Sequence, residues 1–252
     1  MKSILIIAGS DSGGGAGIQA DIKASQYHKV FATTAITAIT AQNTQGVQGV
    51  VALDPSFVQQ QIKSVLDDFD ISVIKIGMLG SSQLIKAVKQ SLENVNIPIV
   101  LDPVAISRAG SKLLEDDAIE TLKELFPLAK IITPNSHEAK LFFNVQNEED
   151  LKSINNYNTN ILFKNLTKYD DKTVDILVHK DMKIEKFTSL KANMENTHGT
   201  GCSFSSSVAA LLAREFTLED SIHVAKNYIY KAIKTSPNLG KGNGPINHIL
   251  ID

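Results

Sequence analysis

Short apolar runs alternate along this chain with longer segments in which apolar residues recur every three or four positions. Ile4-Leu5-Ile6-Ile7-Ala8 ends in Gly9, and Val73-Ile74-Lys75-Ile76 ends in Gly77. Ile97-Pro98-Ile99-Val100-Leu101 ends in Asp102, Ile131-Ile132 in Thr133-Pro134, and Ile161-Leu162-Phe163 in Lys164. Short β-branched runs without polar alternation predict strands buried on both faces of a mostly parallel sheet. The residues after Gly17 predict a helix to about Lys29, with its face set by helical periodicity. Asp54 is a plausible N-cap with Pro55 in the first turn, and Phe57, Val58, Ile62, Val65, Leu66 and Phe69 form one stripe. Leu218, Ile222, Ala225, Ile229, Ala232 and Ile233 repeat that pattern near the end of the chain.

Alternating strands and helices predict right-handed crossovers and an α/β fold, a three-layer α/β/α sandwich with a mostly parallel central sheet. Thr33 to Val51, rich in Thr, Ala, Gln and Val, predicts strands that cross or flank that sheet. Thr173 to Thr188 predicts a hairpin around Lys180-Asp181. The Asn-rich stretch Asn155 to Asn160 predicts a surface turn. No repeat or linker divides the chain, so residues 1–252 are expected to form one domain.

The composition narrows the possible functions. The chain has 252 residues, 43% hydrophobic and 21% charged, with a net charge of -2. A near-neutral balance disfavours a nucleic-acid binder that works through a broad basic face. The single cysteine, Cys202, excludes an internal disulfide and a multi-cysteine metal site. No apolar run approaches the ~18 residues of a membrane span, and the first one is too short for a signal peptide. A cytoplasmic protein is the expectation.

Ligands of open parallel sheets bind outside the carboxyl ends of the strands, so the residues after each predicted strand are the candidates. After the first strand comes Gly9-Ser10-Asp11-Ser12-Gly13-Gly14-Gly15-Ala16-Gly17. These glycines satisfy neither the dinucleotide-binding fingerprint nor the P-loop pattern, which disfavours both classes. Their density implies backbone close to a ligand or at positive φ, or else a bare turn. Asp102, Asn135, Glu138 and Lys164 follow other strands; together they suit an Mg²⁺-nucleotide site, although Asp102 and Asn135 beside prolines could merely shape turns.

The sharpest local signal is Asn196-Thr197-His198-Gly199-Thr200-Gly201-Cys202-Ser203, followed by a predicted small-residue helix from Phe204 to Ala213. Backbone N–H groups at that helix start would form an anion site. Cys202 would lie where a thiol pKa can be lowered for a base or nucleophile, the alternative being a small buried packing residue. His198 is either a hydrogen-bonder that orders the loop or a ligand contact.

Six segments in register carry a resemblance. They are Gly9-Ser10-Asp11 with Gly17 to Asp21, Thr37 to Thr44, Lys75 to Leu79, Leu101 to Val104, Thr133 to Ala139, and Thr197 to Cys202. The closing Gly240 to Ile246 also fits. The chain resembles the hydroxymethylpyrimidine/phosphomethylpyrimidine kinases of thiamine biosynthesis, in the ribokinase superfamily, over nearly its whole length. The resemblance implies a ribokinase-like fold, ATP and Mg²⁺, a homodimer, and two successive phosphorylations of 4-amino-5-hydroxymethyl-2-methylpyrimidine.

It further implies that Gly9, Asp21, Gln42, Met78 and Val104 line the pyrimidine pocket. Asn135 and Lys164 would serve ATP, and Asp102 and Glu138 the metal. Gly199, Thr200 and Gly201 would form the anion hole, with Cys202 in the place of the aspartate base of sugar-kinase relatives. Two segments depart from the family pattern. Asn165-Leu166-Thr167 stands where two glycines and a histidine usually follow Lys164, and Ala105 to Gly110 lacks the usual methionine and lysine. Pyridoxal kinase is the same-class alternative, and a catalytically silent pyrimidine- or nucleotide-binding relative is the other.

Overall fold

The computed structural model describes residues 1–107, 110, 112–155, 157–192 and 194–250. Its frame is one nine-stranded sheet. In chain order the strands are β1 (Ser3–Asp11), β2 (Phe31–Asn43), β3 (Gly46–Ala52), β4 (Ile71–Ile76), β5 (Ile99–Leu101), β6 (Ile131–Ile132), β7 (Asn160–Lys168), β8 (Lys172–Val178) and β9 (Ile184–Leu190). Their spatial order is β3-β2-β1-β4-β5-β6-β7-β8-β9. β2, β1, β4, β5, β6 and β7 pair in parallel, while β3 at one edge and β8 and β9 at the other are antiparallel.

Alternate residues of the strands feed two cores, because successive side chains leave opposite faces of a sheet. Leu5 and Ile7 join Ile74, Ile76, Leu101 and Phe163 on one face. There they meet α2 (Pro55–Asp68), α3 (Ser82–Leu92), α4 (Ala118–Lys123) and α5 (Ser136–Phe143). Ile4, Ile6, Ala8, Val73 and Val100 point the other way, onto α1 (Gly17–Tyr27), α6 (Thr200–Ala213) and α7 (Leu218–Lys234). Both faces of the parallel strands are covered, which is why those strands read as unbroken apolar runs.

Several local expectations are met for identifiable reasons. Asp54 caps α2 by accepting from Ser56 N at 2.8 Å, with Pro55 behind it. The segment from Thr33 to Val51 forms β2 and β3, and the hairpin of β8 and β9 turns beyond His179. In the Asn-rich turn Asn158 takes a left-handed φ of 56°; Asn156 lies outside the described residues, as do Arg108 and Ala109.

Three boundaries differ from the sequence reading. β5 begins at Ile99 rather than Ile97, because Pro98 has no N–H to give the ladder. α6 begins at Thr200, four residues earlier than the apolar period indicates, since its first turn is made of small polar residues that carry no period. β7 runs past Lys164 to Lys168, with its ladder to β8 interrupted between Phe163 and Thr167. The stripe of α2 is also wider than the face it presents to the sheet. Val58 and Ile62 are buried, whereas Phe57 and Phe69 are exposed, the latter stacked on Phe31.

Candidate active site

Strand ends on the carboxyl side of the sheet open into a cavity of about 630 Å³. The glycine-rich loop after β1 forms part of its wall, and Asp11 organises that loop. The Asp11 carboxylate accepts from Gly13 N at 2.7 Å, Gly15 N at 3.1 Å and Ala16 N at 2.8 Å. Gly14 and Gly17 stand at φ 72° and 54°, and a Cβ on Gly17 would collide with the Gly9 carbonyl. The loop thus needs glycine for backbone reasons. Burial works to raise the Asp11 pKa, but hydrogen bonds from His198 and from the Ala16 and Gly13 amides outweigh it and hold the group below its usual value.

The helix start reaches the same cavity. Gly199 is the N-cap of α6 at φ 84°, and a Cβ there would collide with the Gly15 carbonyl. No side chain caps the helix. The first-turn amides of Gly201 and Cys202 have no carbonyl one turn back within the helix to bond, which makes this an anion-facing end. The Thr200 amide is different, because it lies 3.3 Å from the Thr197 carbonyl.

Across the cavity, Asp102 follows β5 and Lys164 sits where the β7–β8 ladder opens. Lys164 Nζ is 2.9 Å from Asp102 Oδ1, which Thr133 Oγ1 also approaches at 3.1 Å. Burial of Asp102 favours its neutral form, yet Lys164 and Lys75 prevail and keep its pKa low. Lys164 is the mirror case: burial opposes its charge, but Asp102 and Glu138 raise its pKa. Asn135 and Glu138 form a reciprocal cap on α5. The Asn135 side chain accepts from His137 N and Glu138 N, and the Glu138 carboxylate accepts from Asn135 N at 2.9 Å. Burial pushes Glu138 up to about 7, against the pull of Lys164.

Gly9, Gln42, Met78 and Val104 line the cavity, together with Asp102, Asn135, Glu138, Lys164, Gly199, Thr200, Gly201 and Cys202. Gly9 and Met78 are neighbours, since a Cβ on Gly9 would sit 3.2 Å from Met78 Sδ. Asp21 is the exception. It is fully buried and absent from the lining described, and both its carboxylate oxygens are taken by Lys75, at 2.9 and 2.8 Å, and Oδ1 also by Ser206. Lys75 lines the cavity instead.

Cys202 also departs from the sequence reading. Burial pushes its thiol up to about 12, with the Lys75 ammonium opposing and Asp21 and Asp102 adding to the rise. A helix start therefore does not make this thiol acidic, although the residue is only half-buried at the cavity wall, because Asp21 and Asp102 lie near its sulfur.

The sequence by itself marks no role for Asp11 or Lys75. Lys75 was detectable, as a lone cation in the otherwise apolar run Val73 to Ile76. Asp11 carried no comparable signal within a loop already rich in turn residues. In the altered loop after Lys164, Asn165 takes φ 50°, the left-handed conformation that glycine tolerates best and asparagine next. Its backbone N–H donates to Asp175 at 2.8 Å, and Asp175 is paired with Lys226 at 2.7 Å.

Comparison with known proteins accords with this geometry. A family model described as phosphomethylpyrimidine kinase matches residues 11–247. The chain is 39% identical to a hydroxymethylpyrimidine/phosphomethylpyrimidine kinase of Haemophilus influenzae, over 98% of this chain and 97% of that protein. It is 40% identical to a thiamine biosynthesis bifunctional protein of Geobacter sulfurreducens over 98% of its own length, but spans only 52% of that protein. Among solved structures, an ADP complex of Bacillus subtilis pyridoxal kinase superposes with a TM-score of 0.86 at 31% identity, covering 98% of this chain and 97% of the other. The match to the family model and the full-length likeness to its kinases make this chain a member of the phosphomethylpyrimidine kinase family.

Proposed function

We propose that the protein transfers the γ-phosphoryl group of ATP to the hydroxymethyl oxygen of 4-amino-5-hydroxymethyl-2-methylpyrimidine, and then a second phosphoryl group to the resulting monophosphate. The observation that carries this reading is a single cavity lined both by an amide and a thioether suited to a small heteroaromatic ring, Gln42 and Met78, and by a helix start and a lysine suited to phosphate. Gly9 and Val104 bound the ring. The Gly201 and Cys202 amides face the phosphoryl group in transfer, where fixed dipoles need no reorganisation. Gly199 shapes that turn, while the Thr200 amide contributes to its closure.

Lys164 and Asn135 serve the nucleotide phosphates. Asp102 holds Lys164 in place, so phosphate meets a cation already oriented. Asp102 and Glu138 offer hard oxygen donors at the cavity wall, which fits Mg²⁺. Asp102 and Glu138 would hold the ion while each keeps its present partner, Lys164 and the Asn135 amide. When bound, Mg²⁺ would neutralise charge on the ATP phosphates. The thiolate form of Cys202, a small fraction near neutrality, receives the hydroxymethyl proton in the first step. The second step uses a phosphate oxygen and needs no such base.

No helix among the described residues is long and apolar enough to cross a membrane. A cytoplasmic, homodimeric enzyme remains our reading. The seam we favour is β3, an edge strand whose sequence Gly46–Ala52 has no charged residue and whose last five residues are exposed.

Pyridoxal is the second reading, motivated by the likeness to solved pyridoxal kinases. ADP release with ATP and Mg²⁺, measured on the hydroxymethylpyrimidine, its monophosphate and pyridoxal, separates them. Turnover of both pyrimidines is the expected result, and turnover of pyridoxal alone would overturn the main reading. Ligand-induced stabilisation without ADP release would instead mark a silent binding protein.

A further inference from the structure

Gln42 is pinned by its backbone. The Ser12 hydroxyl donates to the Gln42 carbonyl and accepts from the Gln42 amide, both at 2.8 Å. What remains free is the direction of the side-chain carboxamide. Its Nε2 is placed 3.3 Å from His198 Nε2 and its Oε1 3.2 Å from Thr40 Oγ1, but the two ends of a carboxamide have the same shape and only their partners tell them apart. His198 Nε2 also lies 2.9 Å from Asp11 Oδ2, and Thr40 Oγ1 lies 2.9 Å from the Ser10 carbonyl.

Counting hydrogens decides the direction. Asp11 is held ionised, so the ring nitrogen facing it must carry a proton, and Nε2 then has no lone pair for a Gln42 N–H. The carboxamide end that faces His198 is therefore the oxygen. Thr40 has one hydroxyl hydrogen, and the Ser10 carbonyl takes it at the shorter distance. Its oxygen is left as an acceptor, so the end that faces Thr40 is the NH2. In this direction His198 Nε2–H is shared between Asp11 Oδ2 and the Gln42 oxygen, and the Gln42 NH2 has Thr40 Oγ1 to bond; the opposite rotamer sets N–H against N–H at His198 and leaves that carboxamide N–H without an acceptor.

We propose that His198 is a positioning residue that fixes the polarity of Gln42, and thereby selects a ring edge with a donor on the His198 side and an acceptor on the Thr40 side. This deepens the proposed function and rests on Gln42 meeting the pyrimidine. An exocyclic amine beside a ring nitrogen offers that order. The 4-oxo analogue in its lactam form offers the reverse, a carbonyl beside an N–H. A carboxamide free to turn over would accept either edge. A fixed one leaves two mispaired groups against the oxo ring, and the hydroxymethyl group, which must face the phosphoryl donor, prevents the ring from turning over instead.

The test compares kcat/KM for the amino substrate and its 4-oxo analogue in wild type, Gln42→Ala, His198→Ala and Thr40→Val. Wild type is expected to favour the amino ring by about 10²-fold or more, as sites that read polar edges do. His198→Ala should bring that ratio below about tenfold, chiefly by admitting the oxo ring, and should change nothing further in a Gln42→Ala background. Thr40→Val frees the other end of the carboxamide without removing the His198 ring from the glycine loop, so it probes the same polarity should His198→Ala not fold. Gln42→Ala with selectivity intact would mean that Gln42 does not read the ring, and the underlying assignment fails. Loss of selectivity in Gln42→Ala, but wild-type ratios in both His198→Ala and Thr40→Val, would overturn the proposal itself. So would a wild type indifferent to the two rings.

Discussion

Lys75 Nζ lies 2.9 and 2.8 Å from the two carboxylate oxygens of Asp21, and neither side chain has any exposure. The pair ties β4 to α1 directly beneath the cavity, and Ser206 of α6 joins it through Asp21 Oδ1 at 2.7 Å. Three elements from distant parts of the chain meet at one buried charge pair.

Breaking that pair should be costly, whereas removing both charges should cost far less. Lys75→Met leaves a carboxylate in the interior without its cation, and the expected loss is about 3–5 kcal/mol in urea unfolding. Lys75→Met combined with Asp21→Leu should recover most of that loss, since a well-packed apolar pair lacks the desolvation penalty. A double variant no more stable than the single one would show that the charges matter little and packing matters most. Activity should fall in both, because Lys75 is the cation that opposes the rise of the Cys202 pKa.

A thiol with a pKa of about 12 is almost wholly protonated near neutrality. If the thiolate accepts the hydroxymethyl proton, kcat/KM for the first phosphorylation should rise about tenfold per pH unit from pH 7 to 9. The second phosphorylation, whose nucleophile is already an oxyanion, should show no such slope. Cys202→Ala should slow the first step by about 10²-fold and spare the second. Equal losses in both would point to damage of the helix start rather than loss of a base.

Glu138 contributes a stability change of unusual sign. Its folded pKa, about 7, lies above its ordinary value of 4.5, so the native state binds more protons than the unfolded state between those limits. Stability therefore falls as pH rises from 4.5 through about 7 and then levels, by at most about 3 kcal/mol. Glu138→Gln keeps an oxygen to accept from Asn135 N but cannot ionise. Thermal melts from pH 5 to 8 should show wild type losing Tm relative to this variant; parallel curves would count against the shift.

The β3 edge gives a prediction about assembly. Val51 is 66% exposed and opposite Ile39, itself 50% exposed, in the antiparallel pair with β2. If two copies meet along this edge, Val51→Lys should convert a dimer to a monomer in light scattering, with the fold of the monomer destabilised by no more than about 0.5 kcal/mol. A wild-type chain that is monomeric, or a Val51→Lys chain that stays dimeric, would remove this seam.

The order of strands and helices was legible in the chain because short apolar runs and 3.6-residue stripes are local patterns, and each strand end marked where polar residues gather. So were Gly17 of the loop and Gly199 of the α6 cap, where a Cβ would collide with a backbone carbonyl. Tertiary structure alone decided which polar groups face the cavity and in what state. Asp21 and Lys75 are 54 residues apart, and Asp11 and His198 are 187 apart. No local period records such pairings. The burial that lifts Cys202 and Glu138 belongs to the same class, since it is set by the layers that close over them and not by their sequence neighbours.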